Sequence, residues 1–153
     1  MSYMIYTDGA VSGNGKTNAR GGWAYIVIHK ETGAMIECGS GGELNTTNQR
    51  MELKACIEGC EAAKRFDANG RVEIYSDSAY LINCHSASWW KAWERNGWKN
   101  AKKQPVANRD LWENLLPYFK NPAQYSFIKV KGHAGDRYNE QVDRMAVAAR
   151  EAM

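Results

Sequence analysis

The chain has 153 residues, 24% of them charged and 44% apolar, with a formal net charge of +3. That length suits one compact domain spanning 1–153, and that balance excludes a disordered or fibrous chain. No apolar run approaches the roughly 20 residues of a membrane span, and Met1-Ser2-Tyr3-Met4 starts no basic segment followed by a hydrophobic one; no membrane association and a cytoplasmic location are expected.

Tyr3 to Thr7 carries β-favouring, apolar side chains on both alternating faces, as a central strand does, and Asp8-Gly9 is expected to end it. A loop rich in Gly, Asn and Ser leads to a second strand, Gly22 to His29. A turn at Glu31-Thr32-Gly33 then leads to a third, Met35 to Cys38. Two short connections in a row predict antiparallel pairing. Thr47 is a good N-cap for a long helix reaching about Phe66, stopped by Asp67-Ala68-Asn69-Gly70. Val72 to Ser76 reads as a fourth strand. Helical sequence runs from Asp77 to about Asn96 with a break near Ser86-Ala87-Ser88. After a loop holding Gly97 and Pro105, another helix spans about Arg109 to Phe119 and is broken by Asn121-Pro122. Tyr125 to Lys131 forms a fifth strand, Gly132 to Asp136 a loop, and Tyr138 begins an alanine-rich final helix. This order predicts an α/β domain whose mixed sheet is covered by helices.

The cysteines Cys38, Cys56, Cys60 and Cys84 show no Cys-x-x-Cys pair and no zinc-type His spacing, which predicts reduced core thiols. Between Trp89 and Arg109 the cations Lys91, Arg95, Lys99, Lys102, Lys103 and Arg109 face Glu94 alone, so this stretch is far more basic than the chain as a whole.

Four carboxylates carry the chemistry. Asp8 and Asp77 each follow a predicted central strand, at the sheet edge where ligands bind in open α/β folds; the competing roles are a turn for Asp8 and a helix cap for Asp77. Glu52 shares a helical stripe with Cys56, Gly59 and Ala63, apart from the charged stripe of Lys54, Glu58, Glu61 and Arg65. A carboxylate on that small, apolar face must be paired, protonated or bound to metal, since burying it alone costs several kcal/mol. Asp143 sits likewise with Ala146, Val147 and Arg150 on the last helix, where a salt bridge to Arg150 or another base is the alternative. Converging acids raise one another's pKa unless a divalent cation lies among them, and an all-oxygen set favours Mg²⁺ or Mn²⁺. Two such ions about 4 Å apart align water and leaving group around a phosphate. His133, in the glycine-flanked loop Lys131-Gly132-His133-Ala134-Gly135-Asp136, suits proton shuttling beside them.

Tyr6-Thr7-Asp8-Gly9, Thr46 to Leu53, Ser76-Asp77-Ser78, Lys131 to Gly135 and Asn139 to Asp143, in this order, resemble ribonuclease H of type 1 over essentially the whole chain. The resemblance implies a ribonuclease H-like fold with a five-stranded mixed sheet, three antiparallel strands followed by two parallel ones, flanked by helices. It implies an endonuclease that hydrolyses the RNA strand of an RNA-DNA hybrid by two-metal-ion catalysis, leaving 5′-phosphate and 3′-hydroxyl ends; a monomer is expected. Asp8, Glu52, Asp77 and Asp143 are then the ligands of two Mg²⁺ ions, with Mn²⁺ able to substitute, and His133 assists proton movement or product release.

By the same resemblance, residues 86–108 look like the family's basic protrusion, where Trp89, Trp93 and Lys99 would meet the DNA strand by stacking and phosphate contact. The alternative is that these tryptophans pack a small helical subdomain, with Trp90 and Trp98 expected to serve packing first. Thr47 and Asn108 match a Thr and an Asn that grip a DNA phosphate. Asn48 and Gln49 match a minor-groove segment, and Asn14 is a further candidate contact; the RNA 2′-hydroxyl tells the strands apart. The sequence departs from many bacterial members at Gln49, where a second Asn is usual, at Ala79, where a Gln is usual, and in the loop 13–20, which is longer and lacks Pro. Two rival readings remain: a related nuclease or integrase acting on DNA alone, and a hybrid-binding module without catalysis, against which the four retained acids argue.

Overall fold

The computed structural model describes residues 1–14, 16–130 and 137–153. Its elements are β1 (Ser2–Ser12), β2 (Arg20–His29), β3 (Met35–Leu44), α1 (Asn48–Phe66), β4 (Arg71–Ser76), α2 (Ala79–Ser86), α3 (Trp89–Asn96), α4 (Arg109–Phe119), β5 (Tyr125–Lys129) and α5 (Arg137–Glu151). The strands form one five-stranded sheet in the order β3-β2-β1-β4-β5. β1, β2 and β3 pair antiparallel, while β4 pairs parallel with β1 and β5 parallel with β4. This is the mixed sheet that the order of elements predicts.

Side-chain alternation divides the core between the two faces of the sheet. Tyr3, Ile5, Val27, Val72 and Ile74 point to α1 and the helices after β4, meeting Leu53, Cys56, Leu81, Trp112 and Leu115. Tyr6, Ala24, Ile26 and Ile28 point the other way, onto Val142 and Ala146 of α5. Each aliphatic side chain so buried contributes about 1.5–3 kcal/mol. α5 lies close on β2, because a Cβ at Gly22 would fall on the Ala146 carbonyl.

The boundaries of the first three strands differ from the sequence reading. β1 does not end at Asp8-Gly9: its parallel pairing with β4 stops at Tyr6–Tyr75, but antiparallel pairing with β2 continues from Asp8–Ala24 to Ser12–Arg20. β2 accordingly begins at Arg20 rather than Gly22. β3 runs on past Cys38 to Leu44, because Gly39 and Gly41 leave room for the rings of Tyr25 and Trp23 across the strand pair. The glycines beyond the predicted end of this strand lie beneath aromatic rings. Lys131, the predicted end of the fifth strand, and the loop to Asp136 lie outside the described residues.

Cys56, Cys60 and Cys84 are buried free thiols, and burial pushes Cys84 up to about 12. Cys38 departs from the core expectation: it is exposed on β3. Among the described residues, no helix is long and apolar enough to cross a membrane.

Candidate active site

The end of the parallel β1–β4 pairing opens the space in which the acids meet. Asp8 lies two residues beyond the last β1–β4 pair, still held by β2, and Asp77 follows the last residue of β4. Asp77 does not cap the next helix; Ser78 does, its Oγ accepting from the Leu81 N–H at 3.1 Å. Glu52 comes from the first turns of α1, whose N-cap Thr47 accepts from the Arg50 N–H at 3.2 Å. Carboxylate oxygens of Asp8, Glu52 and Asp77 all lie within 4.8 Å of one another. Asp143, half-buried on α5, joins them through a side-chain hydrogen bond to Asp8. Arg150 does not take Asp143 as its salt-bridge partner; it pairs with Glu151 at 2.7 Å.

Gly9 sets how closely α1 approaches. A Cβ there would lie 2.8 Å from Glu52 N, Met51 C and Met51 Cβ, so helix backbone rests directly on strand backbone. Gly9→Ala is expected to lift the start of α1 from β1, costing about 1–3 kcal/mol in urea unfolding and disproportionately more activity as Glu52 moves away. Unfolding and activity unchanged together would remove Gly9 from this role.

Burial and like charge dominate the electrostatics. Asp8 and Glu52 are 3% and 6% exposed. Burial first, then the charge of Asp77 and the hydrogen bond to Asp143, push Asp8 up to about 8, against the lowering effect of the Gly9 N–H that donates to its Oδ1 at 2.9 Å. Burial first, then Asp8 and Asp77, push Glu52 well above the usual carboxylate range. Glu52 Oε2 is fully buried with no hydrogen-bond partner among the described residues. A buried acceptor left unsatisfied beside two more acids is a lone pair available to a cation. Oxygen donors without thiolate or imidazole suit a hard divalent ion.

Around the acids the structure gathers most of the residues expected to touch substrate. Asn48, Gln49, Glu52, Asp77, Ser78 and Tyr80 line a cleft of about 300 Å³. Asn14, Thr47, Asn48 and Gln49 line an adjoining one, in which Asn14 Oδ1 accepts from the Asn48 N–H at 3.0 Å. The loop after β1 is thus tied to the start of α1. Asn108 lies beside α1, its Oδ1 accepting from Arg50 Nη1 at 3.3 Å. Ala79 leaves the cleft without the amide that a Gln would supply. His133 lies outside the described residues.

In the 86–108 segment the tryptophans divide by burial. Trp90 and Trp98 are each 8% exposed and serve packing, whereas Trp89 is 40% exposed. Trp93 is half-buried, with ring centroids 5.8 Å from Trp98 and 5.5 Å from Trp112. Trp89, Trp93 and Lys99 share one cavity of about 420 Å³. Some of the basic charge is used internally: Arg109 lies over the Trp98 ring and pairs with Glu113, and Lys91 lies over Trp90. Glu94, the local acid, is held by Lys120 at 2.8 Å.

Sequence reading did not single out Arg50 or Tyr80 as parts of this site. Arg50 lies within Thr46 to Leu53, and Tyr80 next to Ala79, but their contacts to Asn108 span 58 and 28 residues and carry no local signal.

The RNase H family model matches residues 1–151. The chain is 50% identical over 142 residues to Ribonuclease H of Thermoanaerobacter pseudethanolicus, covering 93% of this chain and 85% of that one. With Ribonuclease H of Syntrophomonas wolfei it shares 48% over 144 residues, covering 94% and 92%. Among solved structures, LC9-RNase H1, a type 1 RNase H with the type 2 active-site motif, superposes with a TM-score of 0.80 at 28% identity, over 98% of this chain and 72% of that one. LC11-RNase H1, solved in complex with an RNA/DNA hybrid, gives 0.73 at 18% identity, over 99% and 98%, a likeness of fold. On the family match and these identities, the chain belongs to the ribonuclease H family.

Proposed function

We propose that this protein is an endonuclease that hydrolyses the RNA strand of RNA-DNA hybrids by two-metal-ion catalysis, leaving 5′-phosphate and 3′-hydroxyl ends. The observation that carries this reading is the convergence of Asp8, Glu52 and Asp77 within 4.8 Å, with an unsatisfied, buried Glu52 oxygen among them. Relatives named Ribonuclease H at about half identity, and a structural neighbour holding an RNA/DNA hybrid, support the substrate. Asp8, Glu52, Asp77 and Asp143 would hold two Mg²⁺ ions, or Mn²⁺ in their place. When bound, such ions activate water and stabilise charge on the phosphate and the leaving oxygen.

The chain's own residues do the rest. Buried Glu52 and Asp8 fix their ligand oxygens on rigid backbone, α1 and the paired part of β1. Asn48 and Gln49, on the cleft wall beside Glu52, read the minor groove, where the 2′-hydroxyl marks the RNA strand. Thr47 and Asn108 hold a phosphate of the DNA strand. The 86–108 segment acts as a basic protrusion of the single 1–153 domain, with Lys99 and the face of Trp89 against DNA. His133 assists proton movement, an assignment that rests on sequence resemblance. The protein works as a monomer.

Matched hybrid, duplex DNA, duplex RNA and single-stranded RNA, each incubated with Mg²⁺, test the substrate. RNA cut within the hybrid, with 5′-phosphate ends and the other three substrates spared, is expected. Preferential cutting of DNA would transfer the chain to the DNA-acting reading. Trp89→Ala should weaken hybrid binding by about 1–3 kcal/mol in a fluorescence anisotropy titration while barely shifting the thermal midpoint, because its ring is the exposed one. Trp93→Ala should lose thermal stability as well. Unchanged affinity in Trp89→Ala would leave that ring without a role in binding.

A further inference from the structure

Asn108, like Ser88 before α3, starts its helix from a left-handed backbone without a side-chain cap. It stands at the N-cap of α4 with φ of 63°, in the left-handed region, yet its side chain makes no capping hydrogen bond. An Asn in that place ordinarily accepts from a backbone N–H of the first turn. Here the amide turns away: Oδ1 accepts from Arg50 Nη1 at 3.3 Å, and Nδ2 donates to the Tyr80 hydroxyl at 3.3 Å. The Tyr80 oxygen is held in turn by Trp112 Nε1 at 3.1 Å. Both ends of the amide are thus committed to side chains of other helices, Arg50 of α1 and Tyr80 of α2.

Arg50 ties this amide to the start of α1. Its backbone N–H makes the cap bond to Thr47 Oγ1 at 3.2 Å, which any residue there would supply, while its side chain reaches across to Asn108 and so sets that residue's distance from the capped start of α1. Its guanidinium is itself fixed on three sides. Nη1 and Nη2 fork onto the two oxygens of Asp110 at 3.1 and 3.0 Å, and Nε donates to Glu43 Oε1 at 3.3 Å. Asp110 is 63% exposed and Glu43 36%, and ion pairs so open to water add little to stability. Their consequence is geometric. A planar fork held by two carboxylates places one N–H on Asn108 Oδ1 and settles which end of the amide is which, since a donor must meet oxygen.

We propose that Arg50 is a positioning residue that holds Thr47 and Asn108 at one spacing, with the Asn108 amide in one orientation, so that together they grip a single phosphate of the hybrid's DNA strand. This rests on the function proposed above and adds to it a residue that touches neither the acids nor the phosphate. Lys cannot replace Arg50, because an ammonium has no fork with which to reach Asn108, Asp110 and Glu43 in fixed directions.

The test is a scan of hybrids in which one DNA phosphate at a time is made neutral as a methylphosphonate, with KM and kcat read for wild type, Arg50→Ala, Arg50→Lys, Asp110→Asn and Asn108→Ala. Wild type should show one linkage whose neutralisation raises KM about tenfold, the scale of a lost charge-assisted hydrogen bond. Arg50→Ala and Arg50→Lys should raise KM on unmodified hybrid by a similar factor, with a smaller effect on kcat, and should flatten the scan at that linkage. Adding Arg50→Ala to Asn108→Ala should raise KM no further. If Arg50→Ala fails to fold, Arg50→Lys and Asp110→Asn carry the test. A wild-type scan profile in the Arg50 variants, or additive losses in the double variant, overturns the proposal while leaving the function standing. A wild-type protein that cuts no hybrid overturns the function itself, and this role with it.

Discussion

Asp8→Asn is expected to leave a folded protein that binds hybrid and cuts no RNA. Asn Oδ1 can still accept the Gly9 N–H, and its amide can donate to Asp143, so local geometry survives. What is lost is one negative ligand from a set of acids whose buried charges have a cation as their natural partner. Activity should fall by at least about 10²–10³-fold, the scale on which removal of one preorganised electrostatic group acts. Turnover near wild type in this variant would remove the acids from the chemistry.

The same substitution should stabilise the metal-free protein at alkaline pH. Asp8 is raised from an ordinary 3.8 to about 8, so the folded state keeps a proton that the unfolded chain releases. That contribution is fully present below about 4, shrinks as pH rises, and is lost above about 8; Glu52, also raised, acts in the same direction. Urea unfolding in a chelator should therefore show wild-type stability falling between those limits. Asp8→Asn should show a shallower fall and exceed wild type above pH 8. A wild type that gains stability over that range contradicts the electrostatic description of the site.

Trp112→Ala should be the most destabilising single change away from the acids. Trp112 is fully buried, donates to the Tyr80 hydroxyl at 3.1 Å, and its ring lies 5.1 Å from Tyr80 and 5.5 Å from Trp93. Truncation leaves a large cavity where the 86–108 segment meets the rest of the core, costing about 3–5 kcal/mol. It also frees Tyr80 to turn from Asn108, so KM for hybrid should rise even where the protein remains folded. Trp112→Phe should recover part of the stability and little of the KM, since it restores ring contact but no N–H. A loss under about 1 kcal/mol for Trp112→Ala would mean that the site collapses freely, against its close packing.

How much the sequence reveals depends on whether a feature is local. The helical stripe of Glu52 with Cys56, Gly59 and Ala63 needs only 3.6-residue spacing, and Glu52 is indeed buried. Asp143 was harder to place. Its stripe with Ala146 and Val147 predicts an inward face, but the buried positions of α5 are Asn139, Val142 and Ala146, and Asp143 sits at their edge, half-buried. Asp8-Gly9 reads locally as a turn, whereas the strand continues because β2 still pairs with it after β4 has left. Gly39 and Gly41 carry no strand signal of their own, and extend β3 because Tyr25 and Trp23 lie opposite them. The link from Thr47 through Arg50 to Asn108 and Tyr80 joins segments that only the fold brings together.

Diffraction from crystals soaked in Mn²⁺, recorded at the manganese edge, tests the proposed metal centre most directly. Two anomalous peaks among Asp8, Glu52, Asp77 and Asp143 are expected, one of them against Glu52 Oε2, and both should vanish in Asp8→Asn. Saturating Mn²⁺ that leaves no peak among the four acids would contradict a metal-dependent site.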